Sequence, residues 1–491
     1  MMSISMKNIK NRHNILIFIF IFSVILTSCE DKKSTSPLLG IANAVGGTNT
    51  DNGNNTDNGG SDPGNKSQTT IYTAVTEDNY KLKLMRYRPS TNVSFNENRQ
   101  PVLMFGGICM NNDEFTPHTT DLMKEKYSEM TLPEDLADWA VGDEYIEKDH
   151  MLYYSLGYYL WKQGFDPWFG NYRGTGRGEM KSGGPQYVST LDVPGCLDVP
   201  ALVKKVTEVT GLKPFIGGHS TGALACYVYL QGAYIDGDEA IKGRNASPPY
   251  IPHVKVSSDL AKKRNSSVKG YIGIDPAVAP PLPSFLDAYW IWYILKAPIV
   301  LPLDTMMETL EVESGYTGME FAEIMDYIFN GIDELSIQYP DSVVTYLQFF
   351  RTSEVDPHVL DFFIRYAVSN AYLRMFSQYA DWGLNNAMRE GYTNGPENTG
   401  VVMPKSRKDG DGYYYYEDHM SNITAPMICL LSECNGLVAT ELVNQYLIEL
   451  KTPNELDYVY EVPNTAHADL PIGYQAPTVV FPMISEWLNK F

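Results

Sequence analysis

Five residues, Gly218-His219-Ser220-Thr221-Gly222, constrain this 491-residue chain more than any others. They read G-x-S-x-G, between a short apolar run (Pro214–Gly217) and a segment rich in Ala, Leu and Tyr (Gly222–Tyr234). That context is a strand, a sharp turn and a helix, the setting in which a serine becomes a nucleophile. A pentapeptide of common residues is a weak signal by itself. It gains meaning if the rest of the chain supplies a base, an acid and oxyanion donors in a workable order.

The flanking sequence alternates strands with helices. Tyr80–Tyr87 alternates polar and apolar residues, Pro101–Phe105 is an apolar run before Gly106-Gly107, and Leu152–Gln163 has helical spacing ahead of the strand Phe165–Phe169. The amphipathic Val199–Thr210 leads into Phe215–Gly217 and the serine. Later apolar strands fall at Val268–Ile274, Met427–Ser432 and Tyr458–Val462, with helices at Thr440–Leu450 and Pro477–Asn489. Such alternation predicts an α/β protein built on a doubly wound, mostly parallel sheet. Two segments interrupt it. Asn111–Asp149 is acidic and long for a loop, and Leu282–Met420 is rich in Tyr, Met, Phe and Trp. Helical spacing in Phe321–Phe329 and Val359–Phe376 makes 282–420 an inserted helical cap, with the core in 71–281 and 421–491.

The N-terminus carries Lys7, Lys10 and Arg12, then an apolar run from Ile15 to Leu26 broken only by Ser23. Twelve residues fit the apolar region of a signal peptide, too short to span a bilayer. Leu26-Thr27-Ser28-Cys29 resembles a bacterial lipobox. The expectation is a signal at 1–28, lipidation of Cys29, a flexible Asn/Gly/Thr/Ser tether over 29–70, and attachment to a membrane of the bacterial cell envelope. The formal net charge of -21 argues against nucleic acid as a partner. No C-x-x-C and no zinc-type Cys/His spacing occurs, so neither a metal nor a cofactor is expected. Five cysteines remain besides Cys29, so at least one thiol stays free or pairs between chains. Oligomeric state is not legible.

Ester hydrolysis by a serine needs the nucleophile, a base, an acid that orients the base, and donors for the oxyanion. His467 is the candidate base. It follows the last strand and precedes the last helix, and in α/β-hydrolases the chain order is Ser, Asp or Glu, His. The amide of Thr221, next after the nucleophile, and that of Ile108, after the glycine pair, are the candidate oxyanion donors.

Several blocks resemble the acid lipase family of α/β-hydrolases. Thr76-Glu77-Asp78-Asn79-Tyr80-Lys81-Leu82 is similar to its T-x-D-x-Y-x-L, and Gly164 to Gly174 to its G-Y-D-V-W-L-G-N-x-R-G. Asp198-Val199-Pro200-Ala201 ahead of the pentapeptide is similar to its D-L-P-A, Ser421 to Pro426 to the segment before its acid-bearing strand, and His467-Ala468-Asp469-Leu470 to its H-x-D-F. The resemblance implies hydrolysis of lipid esters beneath a helical cap. It places Asn435 where the family has its triad Asp. An Asn cannot stabilise an imidazolium by charge. Two replacements are at hand. Glu433 lies two residues earlier, on the same side of an extended backbone. Asp275 ends the strand Val268–Ile274 in Gly-Ile-Asp-Pro-Ala, a segment resembling the pancreatic lipase family, whose acid sits at this earlier strand end. The reading is therefore a membrane-anchored serine hydrolase of hydrophobic esters with Ser220, His467 and Asp275 as triad, and Glu433 or Asn435 as alternative acids. A surface lipoprotein that binds a lipid or partner without catalysis is the alternative that Asn435 motivates, and a peptide or polyester substrate is a third.

Overall fold

The computed structural model describes residues 70–90, 93, 99–184, 189–247, 249–279, 300–301, 354–391, 412–435 and 438–491, all within the compact unit Gly64–Phe491. The expected signal, Cys29, nearly all of the tether and the larger part of the cap, including Phe321–Phe329, lie outside them.

Among the described residues eight strands form the central sheet: β1 (Thr70–Val75), β2 (Lys81–Arg86), β3 (Pro101–Phe105), β4 (Asp166–Gly170), β5 (Phe215–His219), β6 (Tyr271–Ile274), β7 (Met427–Ser432) and β8 (Tyr458–Val462). Their spatial order is β1-β2-β4-β3-β5-β6-β7-β8. β2 pairs antiparallel with both β1 and β4, and every pairing from β4 to β8 is parallel. Helices α1 (Leu156–Lys162), α2 (Val199–Thr210), α3 (Thr221–Leu230), α4 (Ser258–Ser267), α5 (Leu373–Asn385) and α6 (Phe481–Leu488) stand among and beyond the strands. This is the α/β-hydrolase fold.

The central strands are apolar because both faces are covered. In β3 the alternation is visible residue by residue: Leu103 and Phe105 join one core layer with Trp168, Leu202 and Leu224, while Val102 and Met104 join the other with Phe169, Phe215 and Trp487. Trp382, Met388, Tyr414 and Tyr416, from the segment 282–420, are buried in the first layer too. Helix α2 ends where Gly211 takes the left-handed conformation at φ 70°, and its N-terminal turn is opened by Pro200.

Parallel strands bring their carboxyl ends to one edge of the sheet. The segments that follow β3, β5, β6, β7 and β8 carry Ile108, Ser220, Asp275, Asn435 and His467 respectively. Residues scattered over 360 positions of sequence thus share one rim.

A buried ion cluster fixes this frame. Arg173, after β4, donates through Nη1 to Asp78 (2.8 Å) and through Nε and Nη2 to Asp198 (2.9 and 2.6 Å), with all three side chains at most 4% exposed. Its guanidinium also lies over the Tyr80 ring, 4.7 Å from the centroid. Asp78 sits in the β1–β2 turn and Asp198 enters α2, so one side chain joins hairpin, β4 loop and helix. At the other end of β4, Asp166 accepts from Arg86 and from the Trp168 indole, both at 2.8 Å. Breaking a buried pair leaves an uncompensated charge, at a cost of about 3–5 kcal/mol. Arg173→Leu strands two buried carboxylates, so it should lower stability by about that amount in urea unfolding; a midpoint equal to wild type would show that the cluster does not hold the frame.

Candidate active site

Ser220 terminates β5 and caps α3. Its backbone stands at φ 53°, ψ -119°, a conformation that non-glycine residues rarely adopt. The turn is so tight that a Cβ at Gly218 would lie 2.4 Å from the Phe105 carbonyl oxygen, and one at Gly222 2.1 Å from it. Both glycines of the pentapeptide are thus required by close approach of β3, not by any contact with a substrate. The Ser220 amide donates to the Ile274 carbonyl (2.9 Å) and its own carbonyl accepts from Ala277 (3.1 Å), which ties the turn to the end of β6.

Asp275 (43°), Cys109 (59°) and Asn464 (56°), non-glycine residues that follow β6, β3 and β8, also have positive φ. Asp275 is fully buried. Its Oδ1 accepts from the Ser432 amide (2.9 Å), and its Oδ2 accepts from the Ser432 hydroxyl and from Asn435 Nδ2 (2.9 Å). The same oxygen lies 3.3 Å from His467 Nδ1. Asn435 Oδ1 accepts from the Val438 amide (3.1 Å), which fixes the amide orientation, and its Nδ2 is 3.0 Å from His467 Nδ1. The structure therefore brings His467, Asp275 and Asn435 together. Glu433 is elsewhere: the strand ends at Ser432, the chain turns at once, and the Glu433 carboxylate accepts from the Asn464 amide (2.8 Å). The alternation that would align Glu433 with Asn435 needs an extended backbone, which the turn removes.

The segment after β3 lies against the Ser220 turn. A Cβ on Gly107 would meet Ser220 Cβ at 3.4 Å and His219 Nδ1 at 3.3 Å. The Gly107 amide is occupied, donating to Glu114 Oε2 (2.8 Å). Ile108 is the next amide along, and Ile108 and Thr221 share a cavity of about 20 Å³ with Gly107, Tyr172, Tyr372 and Met375. That is room for about one water. Thr221 opens α3, so its amide has no acceptor within the helix. Helix α5 reaches the same place, where the Tyr379 hydroxyl lies 3.0 Å from Thr221 Oγ1.

Two residues here escaped the sequence reading. Glu114, in a short turn after β3, is completely buried and contacts His219 Nδ1 through Oε1 (2.5 Å). His219 Nε2 in turn reaches the His467 carbonyl oxygen (3.0 Å), and the two imidazole rings lie 4.5 Å apart between centroids. No pattern marks one glutamate in an acidic loop, and His219 reads merely as the variable position of the pentapeptide. Burial pulls the pKa of His219 down, but the charge of Glu114 and its hydrogen bond outweigh this and hold it above the ordinary value. For His467, burial and then the charge of His219 push down, Asp275 pushes up, and the net result is lowered. Among the described residues no group of three or more His, Cys, Asp or Glu side chains is placed to hold a metal ion, and no helix is long and apolar enough to cross a membrane.

Neither a family model nor a curated protein matches the sequence. Solved structures do resemble the fold. A monoacylglycerol lipase from Paleococcus ferrophilus matches with TM-score 0.40 and 11% identity over 86% of this chain and 99% of its own. A soluble variant of monoglyceride lipase from Saccharomyces cerevisiae matches with TM-score 0.44 and 13% identity over 86% and 95%. A thermophilic esterase from Thermogutta terrifontis gives 0.39 and 14% over 86% and 98%.

The opposed shifts of the two histidines are measurable. In an NMR titration of the imidazole resonances, His219 should titrate above the ordinary value of about 6.5 and His467 below it; the reverse order would contradict the charge assignment at this site.

Proposed function

We propose that the chain is a serine ester hydrolase, lipase-like, acting on lipid or other hydrophobic esters through an acyl-enzyme. The observation that carries this reading is the rim of parallel strands on which a strained Ser220 stands next to His219, whose ring packs on His467, while His467 Nδ1 faces the buried Asp275 carboxylate. With Nδ1 turned toward Asp275, Nε2 is the nitrogen left to serve as base.

The chemistry follows from the positions. Ser220 Oγ attacks the ester carbonyl as its proton passes to His467, and Asp275 stabilises the imidazolium that forms. Negative charge on the former carbonyl oxygen is met by the amides of Ile108 and Thr221. The C–O bond to the leaving alcohol breaks as His467 returns the proton, and the acyl group stays on Ser220. Water, deprotonated by the same histidine, then releases the acid. Neither metal nor cofactor enters these steps. Tyr172, Tyr372 and Met375 make the surroundings of the donors apolar, which is compatible with a hydrophobic ester although the cavity there holds only about one water. The apolar run before Cys29 supports a lipid anchor to a membrane of the bacterial envelope, which would hold the hydrolase near insoluble substrate.

One contact favours the second reading, a binding protein without catalysis. Asn435 Nδ2 at 3.0 Å from His467 Nδ1 can donate to it, and that tautomer leaves Nε2 protonated and no longer a base. A fluorophosphonate probe separates the two readings, because it labels an activated serine and spares an idle one.

Ser220→Ala should abolish hydrolysis of p-nitrophenyl butyrate. Asp275→Ala should lower kcat by about 10⁴, while Glu433→Ala stays within a few-fold of wild type. Full activity in the Ser220 variant would sink the assignment, and a large loss at Glu433 with none at Asp275 would move the acid.

A further inference from the structure

His219 is flanked by two acceptors. Glu114 Oε1 faces Nδ1 at 2.5 Å and the His467 carbonyl oxygen faces Nε2 at 3.0 Å. A carbonyl oxygen cannot donate, and a carboxylate already accepting the Gly107 amide on its other oxygen is an acceptor too. With Glu114 ionised, both ring nitrogens carry hydrogen and the buried ring is an imidazolium paired with it, in line with the direction in which Glu114 holds His219. One carboxylate thus holds the oxyanion loop through Gly107 and, through the ring, the backbone of His467. Around the base itself stand His219, Asp275 and Glu114 as charged groups, with Asn435 neutral. Asp469, on the same turn as His467, accepts from the Ala466 amide at 2.8 Å.

We propose that Glu114 and His219 form a positioning pair that clamps the oxyanion loop and the base loop into one unit and sets a fixed positive charge beside the His467 ring. This rests on the hydrolase reading above. The fixed charge disfavours a second proton on the neighbouring ring, so the base stays neutral further into acidic solution than an isolated histidine would. It also favours return of the proton to the leaving alcohol once His467 has taken it. The direction of the His467 shift agrees with this arrangement.

The test is the pH profile of kcat/KM for p-nitrophenyl butyrate in Glu114→Gln and His219→Gln. Glutamine at 114 keeps the shape and can still accept, but no longer holds the proton on His219. The acid limb of the profile should move to higher pH by about one unit, at least as far in His219→Gln, because there Glu114 is left beside the base without its counter-charge. A purely structural role would lower the plateau and leave the limb in place, and that result overturns the proposal. If Glu114→Gln does not fold, His219→Gln decides alone; if neither folds, NMR titration of the wild-type chain must find His219 charged where His467 is neutral, or the proposal falls. Fluorophosphonate labelling of wild type keeps the two claims apart. An unlabelled wild type sinks the hydrolase reading itself, whereas labelled wild type with unmoved limbs sinks only the clamp.

Discussion

The buried Arg173 cluster is the constraint on which the other features depend. Three elements that meet at the rim of the sheet, the β1–β2 turn, the loop after β4 and the start of α2, each contribute one charge to it. Removing a charge from water is costly unless its partners are in place, so the cluster forms only when the three elements are correctly docked. These elements also carry blocks that stand out in the sequence. Asp78, Arg173 and Asp198 lie one in each of three blocks. The most specific of them, around Trp168 and Arg173, holds structure rather than performing chemistry: Asp166 pairs with Arg86, Asn171 with Asn112, and Arg173 with its two aspartates.

The central strands were legible because burial on both faces demands continuous apolar runs, and Pro101–Phe105 and Met427–Ser432 fall where those runs fall. Edges were less legible. β1 begins at Thr70, where composition still resembles tether, because an edge strand in contact with solvent needs few apolar residues. The helix read over Leu152–Gln163 begins as a short turn at His150–Tyr154 before α1, since Asp149 caps the turn and Ser155 then caps the helix. The helical spacing of Val359–Phe376 is interrupted by the short strand Ala371–Tyr372, paired with Val300–Leu301.

At the site, Ser220 and His467 stand out in the sequence because a strand end and a chain order frame them. Glu433 against Asp275 was a question of backbone direction, and only the turn after Ser432 decides where Glu433 points. Glu114 was beyond reach: its importance comes from two contacts at sequence separations of 7 and 105 residues, and no local pattern encodes them.

The Asn435 amide nitrogen rests 2.9 Å from an Asp275 oxygen. Two carboxylates at that separation cannot both stay ionised, and one would hold a proton near neutrality. Position 435 therefore has to be uncharged as long as Asp275 is present, and its amide serves to orient the carboxylate it would otherwise oppose. The site has capacity for a single negative charge beside the imidazole Nδ1, and neighbouring parallel strands offer two addresses for it. A chain that moves this charge from one address to the other must neutralise the first, so the asparagine that looks like a missing catalytic residue is the counterpart of the aspartate on the adjacent strand.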